Sequence, residues 1–276
     1  MNRKFFFHIL VFLLPFAASA QSTAEEWLKR GMALKEKQDY ENALVAFKNA
    51  IAKDPKLNEA YYEAGWCCNE LEQFEEAVEH LKKYEPASDE YKRDKYNELG
   101  YSYLKLQNSA EAIGQFNQTL SVYPANGIAL RGLGTVYYEI EEDFEKAIMY
   151  FEKALKADEQ GSTSVYYKLG WLYNDKERYD DAIKILLKAI GYDSEDSGYR
   201  EELGYAYYMK GEYEFAITQL NKAISIDETS NLGYYYKGLC FVATNKKGEA
   251  MSIYYKLKEM ESDEAAVLLE KINKMK

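Results

Sequence analysis

The chain has 276 residues, with 46 acidic against 35 basic side chains for a net charge of −11, 47% apolar residues and only four prolines. That apolar share is too high for a disordered chain. The acid excess works against nucleic acid and anionic membrane as partners, because both are held by clustered Lys and Arg.

The first predicted segment is a leader. Arg3 and Lys4 precede an apolar run from Phe5 to Ala17, and Ala18, Ser19 and Ala20 follow as a small-residue cleavage site. The order reads as a secretory signal peptide over residues 1–20. The run is shorter than the about 20 residues needed to cross a bilayer, and His8 and Pro15 interrupt it. No membrane span is therefore expected in the mature protein, and export, to a bacterial periplasm or else outside the cell, is. No cysteine follows the cleavage site, so a lipid anchor is not expected there.

From residue 21 to 262 a single pattern repeats. Glycines stand at 31, 65, 100, 134, 170, 204 and 238, and each is followed twelve or thirteen residues later by an alanine, at 43, 77, 112, 147, 182, 216 and 250. A period of 34 to 36 residues is the mark of a stacked array in which each unit covers its neighbours. Within a unit, apolar residues spaced by three and four write two short helices. Asp39, Asn108 and Asp143 stand where the second helix of a pair needs an N-cap. A glycine inside a helix costs about 1 kcal/mol against alanine, which predicts a close Gly–Ala approach between paired helices as the compensation. Thr23 and Glu26 form a capping box at the start. Residues 263–276 read as a final helix that covers the last unit with Leu268, Leu269, Ile272 and Met275.

The first unit carries Trp27, Arg30-Gly31, Leu34, Ala43, Phe47, Ala50 and Pro55. The third carries Tyr96, Leu99-Gly100, Tyr103, Ala112, Phe116, Thr119 and Pro124. These resemble the tetratricopeptide repeat, and the other five units follow with small departures. The resemblance implies an all-α, right-handed superhelical solenoid of seven antiparallel helix pairs. One extra residue enters the turn near Glu141-Glu142, and the connections around Pro86 and Glu159-Gly161 are a residue longer.

Residues for catalysis are scarce. Beyond the leader there is one histidine, His80, which excludes a metal site built on two histidines. Cys67, Cys68 and Cys240 fall at helix-packing positions, so buried free thiols are expected, with no disulfide. Phosphate loops, dinucleotide fingerprints and nucleophile elbows are absent. No enzyme activity, cofactor or metal is expected. Asn117-Gln118-Thr119 matches a glycosylation sequon, but its threonine falls on a packing position.

Tyrosine is the remaining signal, with 27 copies. In the family the inner wall is lined by the second, fifth, ninth, twelfth and thirteenth positions of the first helix. Carried over, these are Tyr62, Tyr101, Arg131, Tyr138, Tyr167, Tyr205, Tyr208 and Tyr235. Two units repeat one arrangement almost letter for letter: Tyr62, Trp66 and Asn69, then Tyr167, Trp171 and Asn174. The spacing sets each trio on one stripe, offering aromatic contact area beside an amide. The expected function is an exported scaffold holding an extended segment of a partner protein in an aromatic groove. The alternative is an envelope-glycan binder that stacks sugars on Trp66 and Trp171. The ninth position lacks asparagine throughout, so a clamp for an acidic C-terminal tail is not expected.

Overall fold

A computed structural model describes residues 22–160 and 163–275; the expected leader lies outside the described residues. Two compact units divide the chain, Met1–Glu85 and Pro86–Lys276. The first holds two helix pairs, α1 (Ala24–Lys35) with α2 (Tyr40–Lys53) and α3 (Asn58–Glu70) with α4 (Phe74–Lys83). The second holds α5 (Asp89–Lys105) with α6 (Ser109–Val122), α7 (Gly127–Glu139) with α8 (Phe144–Ala157), and α9 (Tyr166–Asp175) with α10 (Tyr179–Tyr192). There follow α11 (Ser197–Met209) with α12 (Tyr213–Ile226), α13 (Asn231–Ala243) with α14 (Lys247–Glu259), and α15 (Glu264–Asn273). The described residues are all-α. Each second helix packs on the next first helix within its unit, as in α2 on α3, α6 on α7 and α10 on α11.

What joins the two helices of a pair differs from the expected Gly–Ala approach. All seven alanines are fully buried, yet the residue that fills the space beside each of the first six glycines is a larger one, a turn further along the second helix. Phe47 lies against Gly31, Leu81 against Gly65, Phe116 against Gly100, Phe151 against Gly134, Leu186 against Gly170 and Leu220 against Gly204. A Cβ added at these glycines would sit 2.4–2.6 Å from the facing side chain. The glycine is thus a socket for a ring or isobutyl group. Burying such a side chain stabilises by about 1.5–3 kcal/mol, which outweighs the about 1 kcal/mol of lost helix propensity.

The turns within pairs are equally regular. The backbone N–H of Asp39 donates to the Leu34 carbonyl, and Gln73 to Cys68, Asn108 to Tyr103, Arg178 to Tyr173, Glu212 to Tyr207 and Lys246 to Phe241 follow suit. This six-to-one bond closes a helix on a left-handed residue, supplied by Gln38, Glu72, Gln107, Glu177, Gly211 and Asn245. In the fourth pair the bond runs from Glu141 to Val136 and the left-handed residue is Glu142, which is how the inserted residue is accommodated. Asp39 and Asp143 cap their helices through their side chains, whereas Asn108 occupies the N-cap without a side-chain bond. The Thr23–Glu26 capping box is formed in both directions.

Two places depart from the common pair. Tyr84 is the C-cap of α4, and its large side chain stands where other pairs carry Ala50, Ala154 or Ala189; it is buried against Tyr62. In the seventh pair the socket of Gly238 is filled mainly from outside the pair, by Leu268 of α15 with Ile253. Leu268 and Ile272 are fully buried on α13 and α14.

Three successions of first helices, α1 to α3, α7 to α9 and α9 to α11, are tied by polar rungs. Each rung runs from the last turn of one first helix to the residue two before the repeat glycine on the next. Lys35 Nζ meets Glu63 Oε2 at 2.6 Å, Lys168 pairs with Glu139, and Asn174 Nδ2 donates to the Glu202 carbonyl at 3.0 Å and to Oε2 at 2.8 Å. Glu202 is 8% exposed, and burial holds its carboxyl above the usual carboxylate range, the amide bond from Asn174 offsetting only part of the shift. Asn174 Oδ1, also buried, has no partner.

Gly134→Ala drives a methyl into Phe151 and is expected to destabilise by about 1–3 kcal/mol. Gly114→Ala, with nothing within 4 Å, should stabilise by up to about 1 kcal/mol; denaturant titration of the two variants checks the socket. Because the folded state holds the Glu202 proton more tightly than the unfolded chain, its contribution is complete at acid pH and lost as pH rises through the raised value. Glu202→Gln supplies a donor for the orphaned Asn174 oxygen. It is expected to stabilise by about 1 kcal/mol at neutral pH and much less in acid; equal gains at both would contradict the assignment.

Candidate functional site

Between α5 and α7 the rung is missing. The positions that carry it elsewhere hold Leu104 and Gly132, and a groove of about 390 Å³ opens there. The position two before the repeat glycine in the other first helices carries Lys29, Glu63, Glu98, Lys168, Glu202 or Tyr236, so Gly132 alone brings no side chain. Its socket is taken from below by Phe116: a Cβ on Gly132 would lie 2.3 Å from the ring, which Gly100 already contacts on the other side. Phe116 is 1% exposed and forms the floor.

The walls are amphipathic and basic. Helix α5 contributes Tyr101, Leu104 and Lys105, helix α7 contributes Ile128, Arg131, Thr135 and Glu139, and Val165 and Lys168 close the far side. Tyr101 is 39% exposed and Ile128 52%, presenting apolar area to solvent. Lys105 Nζ lies 5.5 Å from the Tyr101 ring centre. Lys168 pairs with Glu139 and lies 5.3 Å from the Tyr138 ring. Three cations against one carboxylate make a positive patch on an acidic chain, and such a patch attracts acidic groups. A buried network supports the α5 side: Thr119 Oγ1 donates to Asn97 Oδ1 at 3.0 Å, and Asn97 reaches Asn126, the N-cap of α7. Thr119 is 1% exposed, so the sequon's hydroxyl is spent inside the fold.

Of the residues expected at a site, Tyr101 and Arg131 meet in this groove. Tyr138 and Trp171 form a separate cluster, edge to face at 5.9 Å, with Phe144 against both. Tyr205, Tyr208 and Tyr235 are half-buried, and Tyr205 and Tyr235 pack on Tyr236 at 5.0 and 5.8 Å. Tyr167 is 41% exposed, its phenol pushed up to about 12 by burial of the group and by Glu202 and Glu201. In the first unit Tyr62 packs on Tyr84, and Trp66 takes Tyr40 edge-on at 5.4 Å with Lys35 Nζ 4.0 Å from its centre.

The expected amides need correction. Asn69 and Asn174 are 3% and 4% exposed, and Asn174 is committed to Glu202. Asn174, in the last turn of α9, faces α11, so the stripe counted as open wall is partly a joint. Gly132, Phe116, Lys105 and Lys168 were missed. A glycine where every other unit has a larger side chain was the available signal. Among the described residues no helix is long and apolar enough to cross a membrane.

The family model described as tetratricopeptide repeat matches residues 28–91, 97–162 and 167–232. A segment of 144 residues is 25% identical to anaphase-promoting complex subunit 3 of Schizosaccharomyces pombe, covering 52% of this chain and 21% of that protein, so the match spans about a fifth of the relative's length. Among solved structures, the C-terminal part of a TPR repeat-containing protein from Cytophaga hutchinsonii superposes with a TM-score of 0.71 at 17% identity, covering 88% of this chain and 99% of that one. YrrB, whose structure is described as a TPR protein with an unusual peptide-binding site, superposes with a TM-score of 0.55 at 18% identity over 82% of this chain and 98% of its own. With well over half of its length matched by the family model, the chain belongs to the tetratricopeptide repeat family.

Proposed function

We propose that this protein is an exported, non-catalytic scaffold that binds an extended segment of a partner protein in the groove between α5 and α7. The observation that carries the reading is the missing rung, which leaves exposed Tyr101 above the Phe116 floor with Lys105 and Arg131 beside it. An aromatic anchor next to an Arg is the composition of an interface hot spot. The complementary segment carries an apolar or aromatic side chain for the floor and an acidic side chain for the cations, within a chain rather than as a free acidic terminus. The binding of a peptide by YrrB, a protein of the same fold, supports the class of ligand. The leader-like composition of residues 1–20 supports export, with a bacterial periplasm as the proposed location.

A sugar-binding reading draws less support from this geometry. Its hydrogen-bonding amides, Asn69 and Asn174, are buried, and the rings of Trp66 and Trp171 are engaged by Tyr40 and Lys35 in one case and by Tyr138 and Phe144 in the other.

Peptide display against the full chain, followed by titration of the selected sequence, tests the proposal. Tyr101→Ala and Arg131→Ala are each expected to weaken binding about tenfold or more, the Arg131 effect shrinking as salt rises. Trp171→Ala should lower stability and leave affinity nearly unchanged. Selected peptides that bind both groove variants as tightly as the parent, or a saturable muropeptide signal lost in Trp171→Ala, would overturn the groove assignment.

A further inference from the structure

The second helix pair brings together three side chains with metal-ligating atoms. Cys68 Sγ on α3, a carboxylate oxygen of Glu76 and a ring nitrogen of His80 on α4 all lie within 4.8 Å of one another. Glu76 and His80 are one helical turn apart, and His80 Nε2 is 3.5 Å from Glu76 Oε1. His80 Nδ1 is buried with no hydrogen-bond partner. Among the described residues no other three His, Cys, Asp or Glu side chains converge in this way.

Comparison of the seven pairs shows what is unusual here. Where this pair has Cys68, the others carry Leu34, Tyr103, Tyr137, Tyr173, Tyr207 and Phe241. Where it has His80, they carry Ala46, Gln115, Tyr150, Ile185, Gln219 and Ile253. A thiol in place of a large side chain stands beside the imidazole, and both exchanges fall in the same pair.

We propose that Cys68, Glu76 and His80 form a binding site for one Zn²⁺ ion, tying α3 to α4. One sulfur, one nitrogen and one oxygen donor match a borderline-soft divalent ion in four-coordinate geometry, the fourth position being left to water. A hard ion such as Mg²⁺ or Ca²⁺ needs more oxygen ligands than the trio offers. Thiolate and carboxylate together balance the double positive charge, and the imidazole binds neutral. Glu76, with its side chain 38% exposed, gives the ion a path from solvent. Its Oε1 is held at 2.7 Å by Lys48, a 41% exposed side chain that swings away when the ion takes the oxygen. Burial pushes the free Cys68 thiol up to about 12, so the thiol is protonated before binding. When the Zn–S bond forms, the S–H bond breaks and its proton passes to the buffer.

The test is titration of the reduced, chelator-stripped full chain with Co²⁺ alone, followed by Zn²⁺. The expected result is a thiolate-to-cobalt charge-transfer absorption that saturates at one ion per chain and is bleached by Zn²⁺. Cys68→Ser should abolish it, while Cys67→Ser and Cys240→Ser should retain it. Glu76→Gln changes a partly exposed residue and should keep the fold; it is expected to weaken Co²⁺ at least about tenfold, the lower end of what even outer-shell partners contribute. Zn²⁺ should also raise the unfolding temperature of the parent and not of Cys68→Ser. A parent chain without the thiolate band, a band that survives in Cys68→Ser, or Co²⁺ affinity unchanged in a folded Glu76→Gln variant would overturn the site.

Discussion

Each of the first six helix pairs is locked by one contact, a ring or isobutyl group of the second helix seated where the first helix has no Cβ. The contact sets how closely paired helices approach, because any larger residue at the glycine would meet the facing side chain well inside van der Waals distance. The remaining regularities follow from it. A glycine costs helix propensity at every repeat, and the buried Phe or Leu offsets that cost with a margin of a kcal/mol or so. The alanine a turn earlier is buried because the helices have already been drawn together. At the last pair, whose own second helix fills the socket only with Ile253, the missing bulk is supplied by Leu268 of the final helix.

With paired helices locked locally, the relation between successive first helices is left to polar side chains. The rungs Lys35–Glu63, Glu139–Lys168 and Asn174–Glu202 use different chemistry at nearly the same place. The fold tolerates a choice of what spans the gap. Removing the span costs the rung and creates concave space. Leu104 and Gly132 do this between α5 and α7, and Phe116, gripped between two glycines, keeps the floor closed. The groove is therefore an omission from a regular pattern, made safe by a buried ring.

The second pair varies the pattern in another direction. Exchange of a bulky packing residue for Cys68 beside His80 brings donor atoms together on helices already held by Gly65 and Leu81. A scaffold whose stability resides in its sockets can accommodate such exchanges at neighbouring positions.

The repeat, its helix pairs, the capping box at Thr23 and the inserted residue near Glu141 were legible in the sequence, because each depends on residues close together in the chain and on side-chain periodicity. Burial of the seven alanines and three cysteines was legible for the same reason. The partner of each glycine was not: sequence spacing identifies the face of a helix but not which residue on the opposing helix reaches across. Asn69 and Asn174 were assigned to an open wall, yet both are buried, and Asn174 lies at a joint with Glu202 because α11 is laid beside its stripe. Gly132 became informative only when its absent side chain was seen as a gap between Leu104 and Phe116. Local sequence determined the unit and its number of copies; tertiary packing decided which positions between the copies are joints and which remain open, since that depends on distances between residues some 28 positions apart.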